Sequence, residues 1–294
     1  MKEGRIIKAL SGYYYVQTDE KIYACRGRGV FRKKNIQPLV GDFVVFQITD
    51  EEEGYIQEIK PRTNELMRPP IANVDQAIIV TSAKMPDFSP LLLDRFLVLI
   101  EANQIQPVIF ITKMDLTSAD ETEVMNKYKV AYERIGYPVE LLTVVDQKFD
   151  QSQVQPYLAN KVTVIAGQSG VGKTSLLNAL KPDLSMETNP ISKSLGRGKH
   201  TTRHVELIEI NNGLVADTPG FSSLELHDIE LEELGNCFPE IKSRKHKCKF
   251  RGCLHLREPN CAVKFALSQG EIEQFRYENY VQFSEEIQSR KPRY

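Results

Sequence analysis

Residues 167–174 read Gly167-Gln168-Ser169-Gly170-Val171-Gly172-Lys173-Thr174, which fits the pattern GxxxxGK[ST] at every position. The apolar run VTVIA precedes this stretch, and the helix-forming sequence SLLNAL, which begins at Ser175, follows it. In such a strand–loop–helix setting, glycines turn backbone N–H groups toward phosphate oxygens, and the helix adds its positive N-terminus. The sequence therefore predicts a phosphate-binding loop that extends to Ser175, in which Lys173 spans two phosphates and the Thr174 hydroxyl coordinates Mg²⁺.

The segment DTPG at 217–220 is a candidate for sensing the terminal phosphate. It ends the strand-like run GLVADT, where proteins with this kind of loop place a carboxylate that reaches Mg²⁺ and a glycine that senses the γ-phosphate. On its own DTPG is an ordinary turn, but downstream of a phosphate-binding loop it gains a specific meaning. We assign the carboxylate role to Asp217 and the glycine role to Gly220.

The stretch GRGKHTTR at 196–203 lies between these two segments and fits a switch loop. A switch loop needs a threonine that binds Mg²⁺ and the γ-phosphate in the triphosphate state only. Either Thr201 or Thr202 fits this role, and Thr201 is carried forward as the candidate although the sequence does not choose between them. A flexible surface loop would explain the glycines but not the doubled threonine ahead of a strand.

The segment Thr112-Lys113-Met114-Asp115 follows the apolar run PVIFI and is similar to the guanine-specifying pattern NKxD. A carboxylate at its last position accepts hydrogen bonds from the N1–H and the exocyclic amine of guanine, whereas adenine presents no such pair of donors. Asp115 is therefore the predicted base selector, and the Lys113 stem is predicted to pack over the base. Thr112 stands where asparagine is usual, so the contacts of that asparagine do not transfer to it. Residues 142–145 are predicted to form the loop beside the base.

These motifs occur in an unusual order along the chain. In an ordinary guanine-nucleotide-binding domain, the base motif follows both the phosphate-binding loop and DxxG, but here it precedes them. A chain can be rejoined in this way when the original termini lie close together and the sheet is unchanged. The order therefore predicts a circularly permuted P-loop domain.

Residues 1–63 predict a small β-barrel. Five β-rich runs are separated by turn-forming and charged residues: GRIIKAL, YYYVQTD, KIYACRG, VGDFVVFQIT and GYIQEIK. An OB-fold is the commonest choice for a barrel of this size, and an SH3-like barrel is the alternative. Pro61 and the run Arg68-Pro69-Pro70 predict a linker at 61–71 that closes this first domain.

Residues 64–224 are predicted to form the permuted domain, because apolar strand-like runs alternate with helical stretches as in a doubly wound sheet. The predicted helices lie at 90–103, 119–135 and 173–180. The runs VELIEIN and GLVADT, separated by Asn212-Gly213, predict a hairpin. Strand-like runs stop after residue 224, so residues 225–294 are predicted to form a separate helical domain.

A group of potential metal ligands lies in this last domain, namely Cys248, Cys253, His255 and Cys261. Three thiolates and one imidazole complete a tetrahedral Zn²⁺ shell and leave no open position for water, which predicts a structural site. Cys237 and His246 lie nearby and are weaker candidates. The five cysteines are an odd number in a chain without a secretion signal, which disfavours a disulfide framework.

Charge is segregated along the chain rather than evenly mixed. The formal net charge is -1, yet basic residues cluster at 26–34 and 242–251 while acidic runs lie elsewhere. Such patches predict docking on nucleic acid at chosen faces. No run approaches the roughly 18 to 20 apolar residues of a membrane span. Because the N-terminus also lacks a signal core, we expect a cytoplasmic protein with no membrane partner.

The permuted motif order, the N-terminal barrel, GRGKHTTR, DTPGF and the Cys/His cluster together resemble the RsgA family of ribosome small-subunit-dependent GTPases, across essentially the whole chain. The resemblance implies an OB-fold that binds rRNA, a circularly permuted GTPase domain and a helical zinc-binding domain whose four ligands match the family's set. It also implies that the small ribosomal subunit stimulates GTP hydrolysis late in the maturation of that subunit. The implied ligands are GTP or GDP, Mg²⁺ and one structural Zn²⁺, and we expect a monomer.

The leading hypothesis for activity is hydrolysis of GTP to GDP and phosphate, with a predicted catalytic set of Lys173, His200, Thr201, Asp217 and Gly220. Phe221 follows DTPG, where many GTPases carry a water-orienting glutamine, and a phenyl ring cannot polarise water. His200 is the candidate for that task, with contact to RNA as its alternative role. Two other hypotheses are an assembly factor in which GTP is chiefly a conformational ligand, and a P-loop kinase, which leaves Asp115 without a function.

Overall fold

Five strands at the N-terminus close into a barrel in the computed structural model of the chain. They are β1 Lys2–Leu10, β2 Tyr13–Gln17, β3 Ile22–Gly27, β4 Phe43–Ile48 and β5 Glu53–Ile59. The strand order is β1-β2-β3-β5-β4, and pairing of β4 with β1 closes the ring. All pairs are antiparallel except β3 with β5. A closed five-stranded barrel with this crossing is the OB-fold, so the predicted fold of this region is confirmed.

The structure describes residues 1–29, 31, 36–67, 69–145, 149–184, 205–217 and 224–290. The chain divides into two compact units, Met1–Val80 with Val144–Ser222, and Thr81–Thr143 with Ser223–Tyr294. Each unit therefore joins two separate stretches of sequence. The three domains predicted at 1–63, 64–224 and 225–294 follow the order of the chain, and their boundaries stay a prediction.

The predicted linker at 61–71 is wrong in one respect, because part of it is an ordered hairpin. Strands β6 Glu65–Met67 and β7 Pro70–Ala72 pair antiparallel. Leu66 and Ile71 are buried. The Arg62 guanidinium donates through Nε and Nη2 to the two carboxylate oxygens of Asp42, at 2.7 and 2.8 Å, and Asp42 is fully buried. The prolines signalled a turn, whereas this packing depends on a partner distant in sequence.

The first unit also contains a sheet of four further strands, β8 Gln76–Ser82, β11 Val162–Ala166, β12 Glu206–Ile210 and β13 Gly213–Asp217. β11 runs parallel to both β8 and β13, and the last two residues of β8 belong to the second unit. β12 pairs antiparallel with β13 and also meets β1, where Lys8 and Glu206 form an ion pair at 2.9 Å. The barrel thus shares a strand contact with the sheet that carries the phosphate-binding loop.

The hairpin between β12 and β13 is confirmed, but its turn lies one residue earlier than the sequence predicted. Asn211 and Asn212 occupy the two turn positions with φ of 50° and 58°, and Gly213 already pairs with Ile210. Positive φ at both central residues is the requirement of a type I′ hairpin turn, which asparagine meets at low cost. The Asn-Gly pair was a good hairpin signal with the wrong register.

The second unit contains β9 Gln106–Thr112, which runs parallel to the short strand β10 Val139–Leu141. Helix α1, Pro90–Ala102, begins where the Ser89 hydroxyl accepts from the Leu92 N–H at 3.3 Å. Helix α2, Ala119–Ile135, begins with a reciprocal capping box between Ser118 and Glu121. Both helices were predicted within a residue of their observed bounds.

Short helices dominate the remainder. In chain order they are α3 Gln155–Leu158, α4 Lys173–Leu180, α5 Leu231–Leu234, α6 Pro239–Lys242, α7 Ala262–Ser268 and the longer α8 Gln274–Gln288. Single 3-10 turns lie at Met114–Leu116, Gln151–Gln153, Pro182–Leu184, Gly235–Cys237 and Lys245–Lys247. The described residues from 224 to 290 contain no strand, as predicted. Nor does any helix in the described parts of the chain combine the length and the apolar character needed to cross a bilayer.

A buried ion network joins the two sequence stretches of the second unit. Arg276 of α8 donates to Asp94 of α1 and, at 2.7 Å through Nε, to Glu240 of α6. Asp94 also accepts from Tyr132 Oη at 2.7 Å and from Asn279 Nδ2 at 2.6 Å. Burial opposes a charged guanidinium, but the two carboxylates outweigh it and hold the pKa of Arg276 above its ordinary value. The polar side chains of this network therefore find their hydrogen-bond partners in one another, although the surrounding core is largely apolar.

Candidate phosphate, base and metal sites

The phosphate-binding loop leaves a strand that is buried at every residue, β11, and enters helix α4. Gly167 has a φ of 140°, and a Cβ built there would lie 2.1 Å from the Val80 carbonyl oxygen. No side chain fits this approach, which explains why the first position of the pattern must be glycine. Gly170 and Gly172 also have positive φ, at 82° and 98°. The loop is therefore shaped by its backbone.

Lys173 is held over this loop by main-chain oxygens. Its Nζ donates to the carbonyl oxygens of Gly167 and Gln168, both at 2.7 Å. Burial lowers the pKa of Lys173 from its ordinary value. The residue before α4 is Gly172, which has no side chain to cap the first turn with Thr174 and Ser175. Free N–H groups at a helix start, beside an ammonium, form a favourable setting for phosphate.

The residues predicted to sense the γ-phosphate are mostly outside the described residues. This applies to His200, Thr201, Thr202 and Gly220, whose roles stay predictions. Asp217 is the last residue of β13, and β13 lies parallel beside β11, the strand that enters the phosphate-binding loop. The backbone of Asp217 therefore ends a strand that neighbours the one leading into the loop, and its role as a Mg²⁺ ligand stays a prediction.

The base motif begins where β9 ends. Thr112 is buried, and its hydroxyl donates to the Thr81 carbonyl oxygen at 3.0 Å. Lys113 has a φ of 59°, and its Nζ donates to the carbonyl oxygen of Met85. Asp115 lies exposed in the 3-10 turn that follows. The threonine that replaces asparagine thus has a structural hydrogen bond, while the carboxylate is presented to solvent.

The main chain steadies this turn through the loop predicted to lie beside the base. The Met114 N–H donates to the carbonyl oxygen of Leu142 at 3.3 Å, and the Leu142 N–H donates to Ile111 at 2.7 Å. Leu142 is fully buried. The start of the segment 142–145 is therefore hydrogen-bonded to the base motif, and its place beside the base stays a prediction.

The four predicted metal ligands converge. One ligand atom from each of Cys248, Cys253, His255 and Cys261 lies within 4.8 Å of the others. Nδ1 of His255 is 3.5 Å from Sγ of Cys248 and 3.3 Å from Sγ of Cys261, and the two sulfurs are 4.0 Å apart. Bonds of about 2.3 Å to sulfur and 2.0 Å to nitrogen place neighbouring ligands of tetrahedral zinc about 3.5–3.8 Å apart. The donor set and its spacing fit a structural Zn²⁺.

Burial prepares the imidazole for this role. It lowers the pKa of His255, so the ring is neutral at pH 7 and its nitrogen lone pair is available. Burial also raises the pKa of the Cys253 thiol to about 12 and raises that of Cys261. A cation that binds here must displace thiol protons. The group does not include Cys237, whose Sγ faces the Glu233 carbonyl oxygen at 3.8 Å, or His246.

Several residues that support the ligand loop were missed by sequence reasoning. The Glu258 carboxylate accepts from the N–H groups of Leu254, Leu256 and Arg257, at 2.7, 2.9 and 3.0 Å. From helix α8, Tyr277 Oη donates to the His255 carbonyl oxygen at 2.7 Å. Tyr280 Oη donates to the Leu254 carbonyl oxygen at 2.6 Å. The only available signal was two tyrosines spaced by three on one helix face.

The loop between β11 and α4 is a P-loop, and the turn that contains Asp115, the predicted base selector, comes earlier in the chain. These features define a class, the P-loop nucleotide-binding proteins with permuted motif order. The family model described as RsgA GTPase matches residues 59–227, and the model for the RsgA N-terminal domain matches residues 3–56. The chain belongs to the RsgA GTPase family. It is a circularly permuted GTPase, and hence a GTP hydrolase.

Relatives resemble the chain along its full length. It is 63% identical over 294 residues to the small ribosomal subunit biogenesis GTPase RsgA 2 of Oceanobacillus iheyensis, and 60% identical over 299 residues to the RsgA of Bacillus subtilis. Both alignments cover 100% of each chain. The crystal structure of YloQ, described as a circularly permuted GTPase, matches with a TM-score of 0.86 at 55% identity, over 100% of this chain and 97% of that one. YjeQ from Thermotoga maritima matches with a TM-score of 0.87 at 36% identity, over 99% of each.

Proposed function

We propose that this GTPase acts in late maturation of the small ribosomal subunit in the cytoplasm, binds the rRNA of that subunit and is stimulated by it. The observation that best supports phosphate binding is the loop shaped by glycines, over which two carbonyl oxygens hold the Lys173 ammonium. The names of the relatives support the ribosomal part. We further propose that the protein works as a monomer.

In this proposal the residues of the P-loop bind the phosphates of GTP. Lys173 contacts the transferred phosphate, and the N–H groups at the start of α4 face the charge that develops on its oxygens. Thr174 and Asp217 would hold Mg²⁺, which when bound neutralises phosphate charge. Thr201 and Gly220 respond to the γ-phosphate, and His200 orders the attacking water. These roles are supported by the motif positions.

Asp115 selects guanine in this proposal, and Lys113 packs over the base. Exchange of Asp115 for asparagine inverts the hydrogen-bond pattern, so Asp115→Asn should lose affinity for GTP and gain affinity for xanthosine triphosphate. Asp120→Asn, a nearby exposed aspartate in the first turn of α2, is a matched control. Unaltered guanine preference in Asp115→Asn would remove this residue from base recognition.

The Cys/His cluster holds one structural Zn²⁺ in the proposal. Basic side chains within and beside the ligand loop are exposed, and they are Lys245, Lys247, Lys249 and Arg251. A metal-fixed loop of this charge suits the phosphates of folded RNA, because fixing the loop reduces the ordering cost of each contact.

Turnover with purified ribosomal subunits tests the proposal. We expect slow hydrolysis by the protein alone, a large increase with small subunits and little increase with large subunits. The alternative, an assembly factor in which GTP is chiefly a conformational ligand, is favoured by Phe221 in place of a water-orienting glutamine. It predicts nucleotide-dependent subunit binding with no increase in turnover, and that result would replace the enzymatic part of the proposal.

A further inference from the structure

The outer face of the barrel carries a row of aromatic and basic side chains that nucleotide hydrolysis does not use. The register places Tyr13 of β2 opposite Arg26 of β3, and Arg26 opposite Tyr55 of β5. Gln47 of β4 stands opposite Tyr55 at the end of the row. Residues directly opposite one another point to the same face of a sheet. The row therefore crosses four neighbouring strands.

The row points away from the barrel core. Cys25, which precedes Arg26, is fully buried, and so is Ile56, which follows Tyr55. Alternation along each strand therefore turns Arg26 and Tyr55 outward. Tyr55 is 42% exposed. Since the barrel core is closed without it, packing inside the barrel does not explain an aromatic ring at this position.

Tyr13 and Arg26 are ordered by each other. The guanidinium carbon of Arg26 lies 4.6 Å from the centre of the Tyr13 ring, and Arg26 Nη2 donates to Tyr13 Oη. A guanidinium stacked on an aromatic ring presents a flat, cationic surface whose side chains have already lost much of their freedom. A ligand that binds to such a surface loses little further free energy to the ordering of side chains.

A second group of polar side chains flanks this row. Arg28 Nη1 donates to Gln57 Oε1 at 2.6 Å, and Gln57 Nε2 donates to Gln47 Oε1 at 3.5 Å. Arg28 is exposed. The face thus combines two tyrosine rings with two guanidinium groups and two carboxamides, and Glu53, opposite Ala24 in the neighbouring row, adds one carboxylate that interacts electrostatically with Arg26.

We propose that Tyr13, Arg26 and Tyr55 form a stacking platform for unpaired RNA bases, with Arg28 contacting the phosphate backbone. The inference rests on the proposed function, in which the small subunit supplies the RNA. Every base has a π-face, so flat rings beside cations recognise single strands with little sequence preference. A duplex keeps its bases stacked inside and offers mainly its backbone and 2′-hydroxyls, so it would use the arginines but not the rings. A protein partner fits less well, because the row contains no aliphatic side chain.

The test compares single-stranded with duplex RNA on full-length protein. The probe is a fluorescent RNA of about twelve nucleotides, within the range of one OB-fold, alone or annealed to its complement. We expect Tyr13→Ala and Tyr55→Ala each to weaken single-strand binding roughly ten-fold, because stacking on one ring contributes about 1–3 kcal/mol. Tyr13→Phe and Tyr55→Phe should keep most of the affinity, and duplex binding should change little in all four variants.

Further variants and measurements make the result decisive. Phe265→Ala removes an exposed ring on α7 and should leave both RNA affinities unchanged. Photo-crosslinking of 5-iodouridine RNA should mark Tyr13 or Tyr55. Thermal unfolding of each variant checks that the barrel is intact, and a pair of arginine variants, Arg26→Lys and Arg28→Lys, reports on stacking without loss of charge.

Several outcomes would overturn the platform. One is equal loss in the alanine and phenylalanine variants, another is equal loss for single-stranded and duplex RNA, and a third is cross-linking that avoids the row. Unchanged RNA binding combined with weaker subunit binding would identify a protein-binding face instead. If wild-type protein binds single-stranded RNA through the row but its turnover ignores small subunits, the proposed function fails while the platform stands.

Discussion

The P-loop and the Cys/His loop are both ligand sites, but they are shaped by different parts of the chain. The P-loop depends on backbone: Gly167 has a φ that side chains avoid, and its closest neighbour would block any Cβ. The Cys/His loop depends on side chains that converge from both ends of 248–261. The first loop is therefore shaped by local backbone, whereas the side chains of the second fit an ion whose binding energy would add to the stability of the fold.

The largest expected effect comes from removing Lys173, whose ammonium group is held by the carbonyl oxygens of the P-loop. Lys173→Ala should lower GTP turnover by about 10²–10³-fold, because a lost charged contact in a preorganised site costs roughly 2.7–4 kcal/mol of transition-state stabilisation. The zinc content and the melting temperature should stay near the wild-type values. Turnover is measured by phosphate release with and without small subunits.

Lys181→Ala is the matched control, since this lysine lies at the other end of α4 and its Nζ donates to the Glu209 carbonyl oxygen at 3.1 Å. It should keep normal turnover. Equal activity of the two variants would remove Lys173 from the phosphate site. Loss of zinc in Lys173→Ala would show that the two loops are not independent.

The second effect is on stability rather than on chemistry. Cys261→Ser should reduce the zinc content from one ion per chain to near zero and lower the melting temperature by about 10 °C or more, because the binding energy of a closed site is folding energy. Cys237→Ser is the control, since its sulfur lies outside the ligand group. Metal analysis and calorimetry measure both quantities. Full metal content in Cys261→Ser would place the ion elsewhere.

The contrast between the loops also explains what the sequence could predict. The P-loop, the helices at 90–102 and 119–135 and the five barrel strands follow local patterns, namely glycine spacing, serine caps and alternation. The convergence of the four predicted metal ligands could be expected because their chemistry is rare and their spacing is short. Roles at His200, Thr201 and Gly220 rest on motifs alone.

Features that depend on distant partners were not predicted. The partner of Asp94 is Arg276, and a buried arginine in α8 looks in sequence like any polar residue of a charged helix. The hairpin at 65–72 depends on burial of Leu66 and Ile71 in the same way. In the other hairpin, between β12 and β13, the predicted turn was one residue too late, because Asn211 adopts the positive φ that the sequence pattern assigned to Gly213.

The third effect tests whether ion pairing in the buried network of Arg276, Asp94 and Glu240 stabilises the protein. Arg276→Met should destabilise the protein by about 3–5 kcal/mol, because it leaves two buried carboxylates without their cation. Burial raises the pKa of Asp94, so the loss should be largest at neutral pH and should shrink as the pH falls and the carboxyl takes up a proton. Denaturant unfolding at pH 7 and pH 5 measures the difference.

The double variant Arg276→Met with Asp94→Leu should recover part of that loss, since one unpaired charge is removed together with its partner. A loss that does not change with pH, or no recovery in the double variant, would contradict an ionic origin. Arg290→Met is the control, because this arginine donates its hydrogen bonds to the carbonyl oxygens of Leu226, His227 and Ile229 rather than to a buried carboxylate.

The smallest effect separates the shape of the metal loop from its ligands. Tyr277→Phe removes a hydrogen bond to the carbonyl oxygen of His255, a ligand with a φ of 61°, and Tyr280→Phe removes one to the neighbouring Leu254. Each change should cost about 1 kcal/mol of stability, the typical net value of one hydrogen bond, with zinc still bound at one ion per chain.

Because Tyr277 holds the ligand residue itself, its variant should lose zinc to a competing chelator faster than Tyr280→Phe, whose partner only precedes the ligand. Chelator competition at fixed pH measures both rates. Equal rates in the two variants and the wild type would mean that the tyrosines of α8 do not stabilise the loop. The conformation of the Cys/His loop would then depend on its four ligands and Glu258 alone, as the conformation of the P-loop depends on its own backbone.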